Sequence, residues 1–374
     1  MMLAHISYTG TRLALTLYAL HRGASQLEVG IIISLLTLAP ALTSLKIGRW
    51  TDRVGFMPPA LVGLALMLIG DMWASSQPRL SLLPVTSVLV GFGQMLVQVA
   101  MLHVIGHSAA PGRTAQTFST MGLGFSVSGL LGPVLAGLLI DGLGYGPTFL
   151  FLCFPAALAL VLLHVYARGI EIHTHVHSTV STDKSSHATS VWRHAPLRSV
   201  LIIAALISVA WDFFIFVMPL HASQHGFSAS QIGTIAGSFS LGMFAIRLGL
   251  GTISRHFSEK RIIYTVLLLT AAGFMVFPFA SVFREFLMLS FMLGLVIGGG
   301  MPLTMSLVHS TAPAGRTGEA SGARTTIVST SQTILPLLFG VIGSTIGIVP
   351  AFWSVALLIV VVLMVQWRRP KPTA

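Results

Sequence analysis

The sequence predicts an all-α integral membrane protein, with twelve transmembrane helices in two pseudo-symmetric six-helix bundles. Three observations predict it. The 374-residue chain is 54% hydrophobic and 8% charged, whereas a soluble domain carries about 25% charged residues. A chain this apolar cannot cover itself with polar surface in water. Second, twelve apolar runs have the roughly 20-residue length that a helix needs to cross hydrocarbon. Third, the first half of the chain matches the second at one constant offset.

The runs are 2–20, 27–48, 58–75, 81–103, 115–140, 147–166, 198–219, 229–250, 262–280, 286–309, 319–343 and 350–367, separated by Gly, Pro and charge clusters. Helix is the expected form because lipid offers the backbone no hydrogen-bond partner. The alternating ten-residue segments of a membrane β-barrel are absent from the sequence. No basic flank and cleavage site precede the first run, so it is expected to be retained. The single cysteine, Cys153, lies inside an apolar run and excludes an intrachain disulfide.

The longest polar stretch, 168–197, divides the chain into an N-terminal bundle (1–167) and a C-terminal bundle (198–374). A shift of 203 residues aligns them. Gly23 meets Gly226, Ser25 meets Ser228, Gly30 meets Gly233, Gly48 meets Gly251 and Gly91 meets Gly294. Farther on, Pro133 meets Pro336, Gly137 meets Gly340, Gly144 meets Gly347 and Pro147 meets Pro350. Two parallel repeats related by an axis along the membrane normal are a transporter architecture, with the site between them near the midplane.

The net charge of +11 raises the possibility of nucleic-acid binding, but its placement argues against it. If the first helix runs outward from the cytoplasm, 17 of the 21 basic residues fall in inner loops, tails or adjoining helix ends. Three are outer (Arg22, Arg79 and Arg284), and Arg12 lies within the first helix. This bias places both termini and the 168–197 linker in the cytoplasm, with the charge serving topology.

The loop after the second run reads Gly48-Arg-Trp-Thr-Asp52-Arg53-Val-Gly55. It resembles the Gly-x-x-x-Asp-Arg-x-Gly motif of the major facilitator superfamily, with Phe56 and Met57 in place of the usual trailing basic residues. The resemblance implies a conformational latch on the cytoplasmic side, made by Gly48, Asp52, Arg53 and Gly55. Gly48 would allow close helix approach, Asp52 would meet the positive start of a helix in the other half, and Gly55 would permit the turn. Glu319 and Arg324 are expected at the start of the eleventh helix, where either could join that network. The fifth run contains Ser128-Gly129-Leu-Leu-Gly132-Pro133-Val-Leu-Ala136-Gly137. This is similar to the Gly-Pro packing motif of the superfamily's twelve-helix drug/proton antiporters, mostly exporters; Ser128 and Ala136 stand where glycines are usual. The fourth run has Ser87 before Gly91 where those antiporters carry an Arg, which puts proton coupling by the family's usual residue in doubt.

Charge inside hydrocarbon costs roughly 2.5–3.5 kcal/mol on insertion scales, so each intramembrane ion is a functional candidate. Arg12 and Asp212 lie midway along helices one and seven and are expected to face each other across the cavity, as a substrate or proton site or as a structural ion pair. Asp71 is expected to snorkel to water, and Asp141 reads as a helix terminus. Tyr8, Gln94, Gln98, Trp211 and Phe216 are the polar and aromatic candidates for the cavity wall. Met301, Met305 and His309 form an i, i+4, i+8 stripe, as apolar lining or as a soft-metal site. His173, His175 and His177 form a His-x-His-x-His run in the linker, open to metal binding or to no role.

No phosphate loop, nucleophile elbow or zinc-hydrolase spacing occurs in the sequence, so an enzyme is not expected. The sequence reading is a multi-pass transporter of a bacterial inner membrane, monomeric, without cofactor or resident metal and without a nucleic-acid partner. It is expected to export small organic or drug-like compounds in exchange for protons. The alternatives are a symporter importing a sugar or organic acid, and a carrier of a metal or metal chelate.

Overall fold

A computed structural model describes residues 1–76, 79–108, 114–167, 194–312 and 316–367. The described chain is helical, with no strand among the described residues. Its helices are α1 (Met2–His21), α2 (Gln26–Val54), α3 (Met57–Ser76), α4 (Leu83–Ser108), α5 (Thr114–Leu143), α6 (Tyr145–Ala167), α7 (Ala195–Gln224), α8 (Ala229–His256), α9 (Glu259–Val276), α10 (Phe283–Gly298), α11 (Gly300–Thr311), α12 (Thr317–Ile346) and α13 (Ile348–Trp367). Each of the twelve apolar runs coincides with a helix; the tenth is the interrupted pair α10–α11. Among the described residues, ten spans are long and apolar enough to cross a membrane. Of the other two, α1 is diluted by His5 and Arg12, and α2 contributes the shorter apolar stretch Gln26–Leu38.

The repeat read from sequence reappears in the atoms. The turn glycines Gly23 and Gly226 have φ of 79° and 72°, and Gly144 and Gly347 have 84° and 91°. These left-handed values exclude most side chains. Ser25 with Glu28 and Ser228 with Gln231 form the same capping box at the starts of α2 and α8, each satisfying otherwise orphaned backbone donors.

Helix packing obeys the same offset. Added Cβ atoms at Gly30 and Gly233 would strike the carbonyl oxygens of Pro336 and Pro133 respectively. Cβ atoms at Gly91 and Gly294 would strike the Leu36 and Phe239 carbonyls. At Gly137 and Gly340 they would press on the backbone of Ala229 and of Gln26 and Leu27. In a bilayer, where lipid is as apolar as Leu, such close backbone approach supplies the packing contact. The crossings α5–α8 and α2–α12 therefore form two symmetry-related seams. Within the first six helices, α3 packs on α4, α1 on α5 and α6, and α2 on α4. Within the last six, α8 packs on α10, α7 on α12 and α9 on α13. A buried aromatic cluster of Phe213, Phe274, Phe277, Phe286 and Phe352 ties α7, α9, α10 and α13 together.

The seams differ between their two ends. At the end bearing the α1–α2 turn, Gly30 and Gly340 hold α2 against α12, and Gly137 and Gly233 hold α5 against α8. Toward the end bearing the α2–α3 turn, α2 and α12 become exposed at Leu42, Arg49, Asp52, Gly322, Thr325 and Thr326. Among the described residues, no atom from a neighbouring helix lies within 4 Å of a Cβ built at Gly48, Gly251 or Gly322. The two bundles are closed at one end and parted at the other.

Candidate functional site

The pairing of α1 with α7 brings the sequence candidates Tyr8, Arg12 and Asp212 together. Arg12 lies close enough to act electrostatically on both Asp212 and Tyr8, but the two charges form no direct ion pair among the described residues. Asp212 is 3% exposed, and its Oδ2 has no hydrogen-bond partner. An unpartnered carboxylate oxygen buried at mid-span is costly unless something transient, such as a proton or a ligand, occupies it. Beside it, Trp211 sits edge-on to Phe239 at 5.7 Å. Phe216 is buried in the core. On α4, Gln94 is buried with neither amide atom bonded, whereas Gln98 is exposed.

Asp71 departs from expectation. It does not snorkel: it is fully buried, and accepts from Thr11 Oγ1 at 2.8 Å and Ser7 Oγ at 3.2 Å. Its place near the end of α3 suggested access to water, but α1 lies over it and supplies the hydroxyls. Asp141 ends α5 as expected and does more there. Its Oδ1 and Oδ2 accept from the backbone N–H groups of Ala229 (3.0 Å) and Ser230 (2.8 Å) at the start of α8. A carboxylate on two free N–H groups at a helix N-terminus gains from both hydrogen bonding and the helix dipole. This contact joins the bundles at their closed end.

The latch residues at the parted end are separated. Asp52, with a side chain 71% exposed, lies 3.4 Å from His103 Nδ1 on α4, in its own half. Arg53 is exposed. Glu319 pairs with Arg316. Arg324 turns away from Glu319 and donates to the Met301 carbonyl (3.4 Å), Met301 Sδ (3.3 Å) and Thr304 Oγ1 (3.5 Å). Gly55 has φ 80°, so the turn needs its glycine. Among the described residues, nothing lies within 4 Å of a Cβ built at Gly48 in this state. In the Gly-Pro motif, Gly132 receives α1 at Thr9 and Ile6, Gly129 faces Ser240 of α8, and Gly137 and the Pro133 carbonyl touch the start of α8. Met305 and His309 are exposed, so the stripe does not close around a common point with Met301. The linker histidines His173, His175, His177 and His187 lie outside the described residues, while His194 caps α7 through Leu197 N–H at 3.4 Å.

Sequence reasoning missed Arg247, counted there among the topological charges. Its Nη1 donates to the Gly122 carbonyl and to Ser126 Oγ (2.7 Å) on α5, and its Nε lies 3.4 Å from the Gly298 carbonyl on α10. It bridges the α5–α8 seam toward the parted end. The one available signal was its distance of nine residues from the end of α8 at His256.

Two six-helix repeats meeting along paired seams, closed at one end, with Arg12 and Asp212 facing each other between them at mid-span, are the build of an alternating-access membrane transporter. The chain belongs to the Major Facilitator Superfamily, whose family profile matches residues 1–211 and again 200–374. Among curated relatives it is similar to an uncharacterized MFS-type transporter, YuxJ, of Bacillus subtilis, with 24% identity over 366 residues, 95% of this chain and 91% of that one. It is also similar to the class D tetracycline resistance protein of Salmonella ordonez, with 22% identity, covering 84% of this chain and 79% of that one. Among solved structures it resembles a bacterial homolog of the human lysosomal transporter Spinster in an inward-facing and occupied conformation, with TM-score 0.75 and 13% identity over all of this chain and 96% of that one.

Proposed function

We propose that this protein is a secondary active exporter that expels small organic or drug-like compounds in exchange for protons, by rocking its two bundles about the α1–α7 contact. The observation that carries the reading is the asymmetry of the seams: glycine crossings and the Asp141 cap close one end, while the Asp52 end is parted. The excess of basic residues at the Asp52 end assigns it to the cytoplasm, which makes this the inward-open state. Bundle boundaries at 1–167 and 198–374, with a cytoplasmic linker between, fit that assignment. Export is supported by the Gly-Pro motif on the α5–α8 seam and by similarity to a tetracycline resistance protein.

In this cycle Asp212 carries the exchanged proton. It sits at mid-span, faces Arg12 and has an oxygen with no partner. Binding of substrate that enters from the cytoplasm releases the proton held by Asp212 beside Arg12. Closure of the cytoplasmic end then brings Asp52 from His103 toward the start of a helix in the other bundle, and the Asp141 cap on α8 gives way at the far end. The test is uptake of tetracycline or of the carboxylate dye fluorescein into inverted membrane vesicles with the interior made acidic. Gradient-dependent accumulation is expected, abolished by Asp212→Asn. Movement of substrate out of the vesicles together with protons would assign the protein to the symporters.

A further inference from the structure

Arg247 and Arg324 converge on the break in the tenth span. The α10 helix stops at Gly298 and α11 starts at Gly300. The Gly298 carbonyl would ordinarily accept from residue 302, but Pro302 has no N–H to give. Arg247 Nε approaches that carbonyl from α8, and Arg324 approaches the Met301 carbonyl, three residues on, from α12. Every acceptor that either guanidinium reaches is neutral: three carbonyls, two hydroxyls and one thioether. Arg324 Nε is buried and has no partner.

The chain's ten acidic residues account for themselves. The Glu28 and Glu285 carboxylates accept from the backbone N–H groups of Ser25 and Ser281 at the starts of α2 and α10. Asp52 lies against His103, Asp71 against Ser7 and Thr11, Asp141 against the start of α8, and Glu319 against Arg316. Glu259 accepts from Ser306, and Asp212 faces Arg12. Glu171 and Asp183 belong to the 168–197 segment, outside the described residues. Among the described residues, therefore, no carboxylate neutralises Arg247 or Arg324. Two uncompensated guanidiniums in a membrane-embedded region are expensive to keep. They suit an oxyanion, which each could hold through paired N–H donors.

We propose that Arg247 and Arg324 form the anion-recognition subsite of this transporter, and that its substrates carry a carboxylate, phosphonate or similar oxyanion. The oxyanion lies between α8, α12 and the α10–α11 break, with the first N–H groups of α11 adding to the favourable potential. The subsite is separate from the Arg12–Asp212 pair, so one region handles the substrate's charge and the other handles the proton. The inference rests on the transport reading for its physiological meaning, but its test does not require flux.

The test is equilibrium binding to the full-length protein purified in detergent, with four probes of nearly the same shape: benzoate, phenylphosphonate, benzamide and benzylamine. The wild type should bind the two anions at least about ten-fold more tightly than the neutral amide, and should bind the amine weakest. Arg247→Gln and Arg324→Gln should each lower anion affinity about ten-fold and leave benzamide affinity unchanged; Arg→Lys at each position should recover part of the loss. Monodispersity by size exclusion checks that the variants fold, and if they do not, the wild-type ranking decides. Equal binding of benzoate and benzamide by the wild type would overturn the proposal. So would retention of anion preference in the Arg247→Gln/Arg324→Gln double variant with its loss in Arg12→Gln, which would move the subsite to α1. Anion preference without any flux in vesicles would sink the transport reading and leave the subsite standing.

Discussion

Three buried or half-buried charges in this protein have different partners, and the difference sets what each substitution does. Asp71 is held by two hydroxyls from α1 and no cation. Replacing it with Ala leaves Ser7 and Thr11 facing an empty space, a loss of about 1–3 kcal/mol. Asp71→Asn retains an acceptor for one hydroxyl and should lose less. Thermal unfolding followed by size exclusion in detergent orders the three proteins, and Asp71→Ala as stable as the wild type would refute the assignment. Asp212 and Arg12 are coupled through space without a direct bond. Each single Ala variant leaves a charge without its opposite, while the double variant leaves none. The double variant should therefore be better folded than at least one of the singles, and additive losses would mean that the two act independently.

Among the helices, the two seams are the working parts, and their glycines are not equivalent. Gly30 and Gly233 lie against carbonyl oxygens of the opposite bundle, whereas among the described residues nothing lies within 4 Å of a Cβ at Gly142 or Gly48. Gly30→Val and Gly233→Val should therefore wedge the closed end apart, at a cost of about 1–3 kcal/mol or more, while Gly142→Ala is neutral. Gly48→Ala should fold normally in the present state and slow transport if Gly48 meets a helix only when the cytoplasmic end closes. The Asp141 cap acts on the same seam. Asp141→Asn keeps the shape but gives up the charge that the start of α8 favours. Spin labels at Arg22 and Ser281, in a background with Cys153 replaced, should report a longer and broader distance across that end. An unchanged distribution would show that the glycine crossings alone hold it shut.

For the molecule as a whole, topology and cycle are linked by the basic residues. Arg247 and Arg324 turn out to be bonded inside the bundle rather than to face the cytoplasm. Removing them from the inner set leaves fifteen basic residues against three, still a strong bias. Reporter fusions at Ser185 and Ala374 should both report a cytoplasmic location; a periplasmic signal at either would reverse the orientation and turn the present state into an outward-open one. With the orientation fixed, Asp52→Asn tests the cycle. It should leave folded protein in the membrane, reduce flux strongly and enrich the state seen here, because the charge that would hold the cytoplasmic end shut is gone. Unchanged flux would strip the Gly48–Gly55 loop of a mechanical role.

The sequence by itself determined the helices, their order and the repeat, because each depends on local or periodic properties. An apolar run has to be about 20 residues long to cross a bilayer, and a glycine needed at φ near 80° recurs 203 residues later because the same turn recurs. Pairing α1 with α7 was legible too, through the mid-span positions of Arg12 and Asp212. The rotation of each helix about its own axis, and which neighbour covers it, was decided only by tertiary packing. Asp71 read as water-facing until α1 lay across it, Asp141 read as a mere terminus until α8 began beneath it, and Arg247 read as an inner helix-end charge until α5 offered Gly122 and Ser126. Each partner lies on a helix remote in sequence, so no spacing along the chain could have announced it.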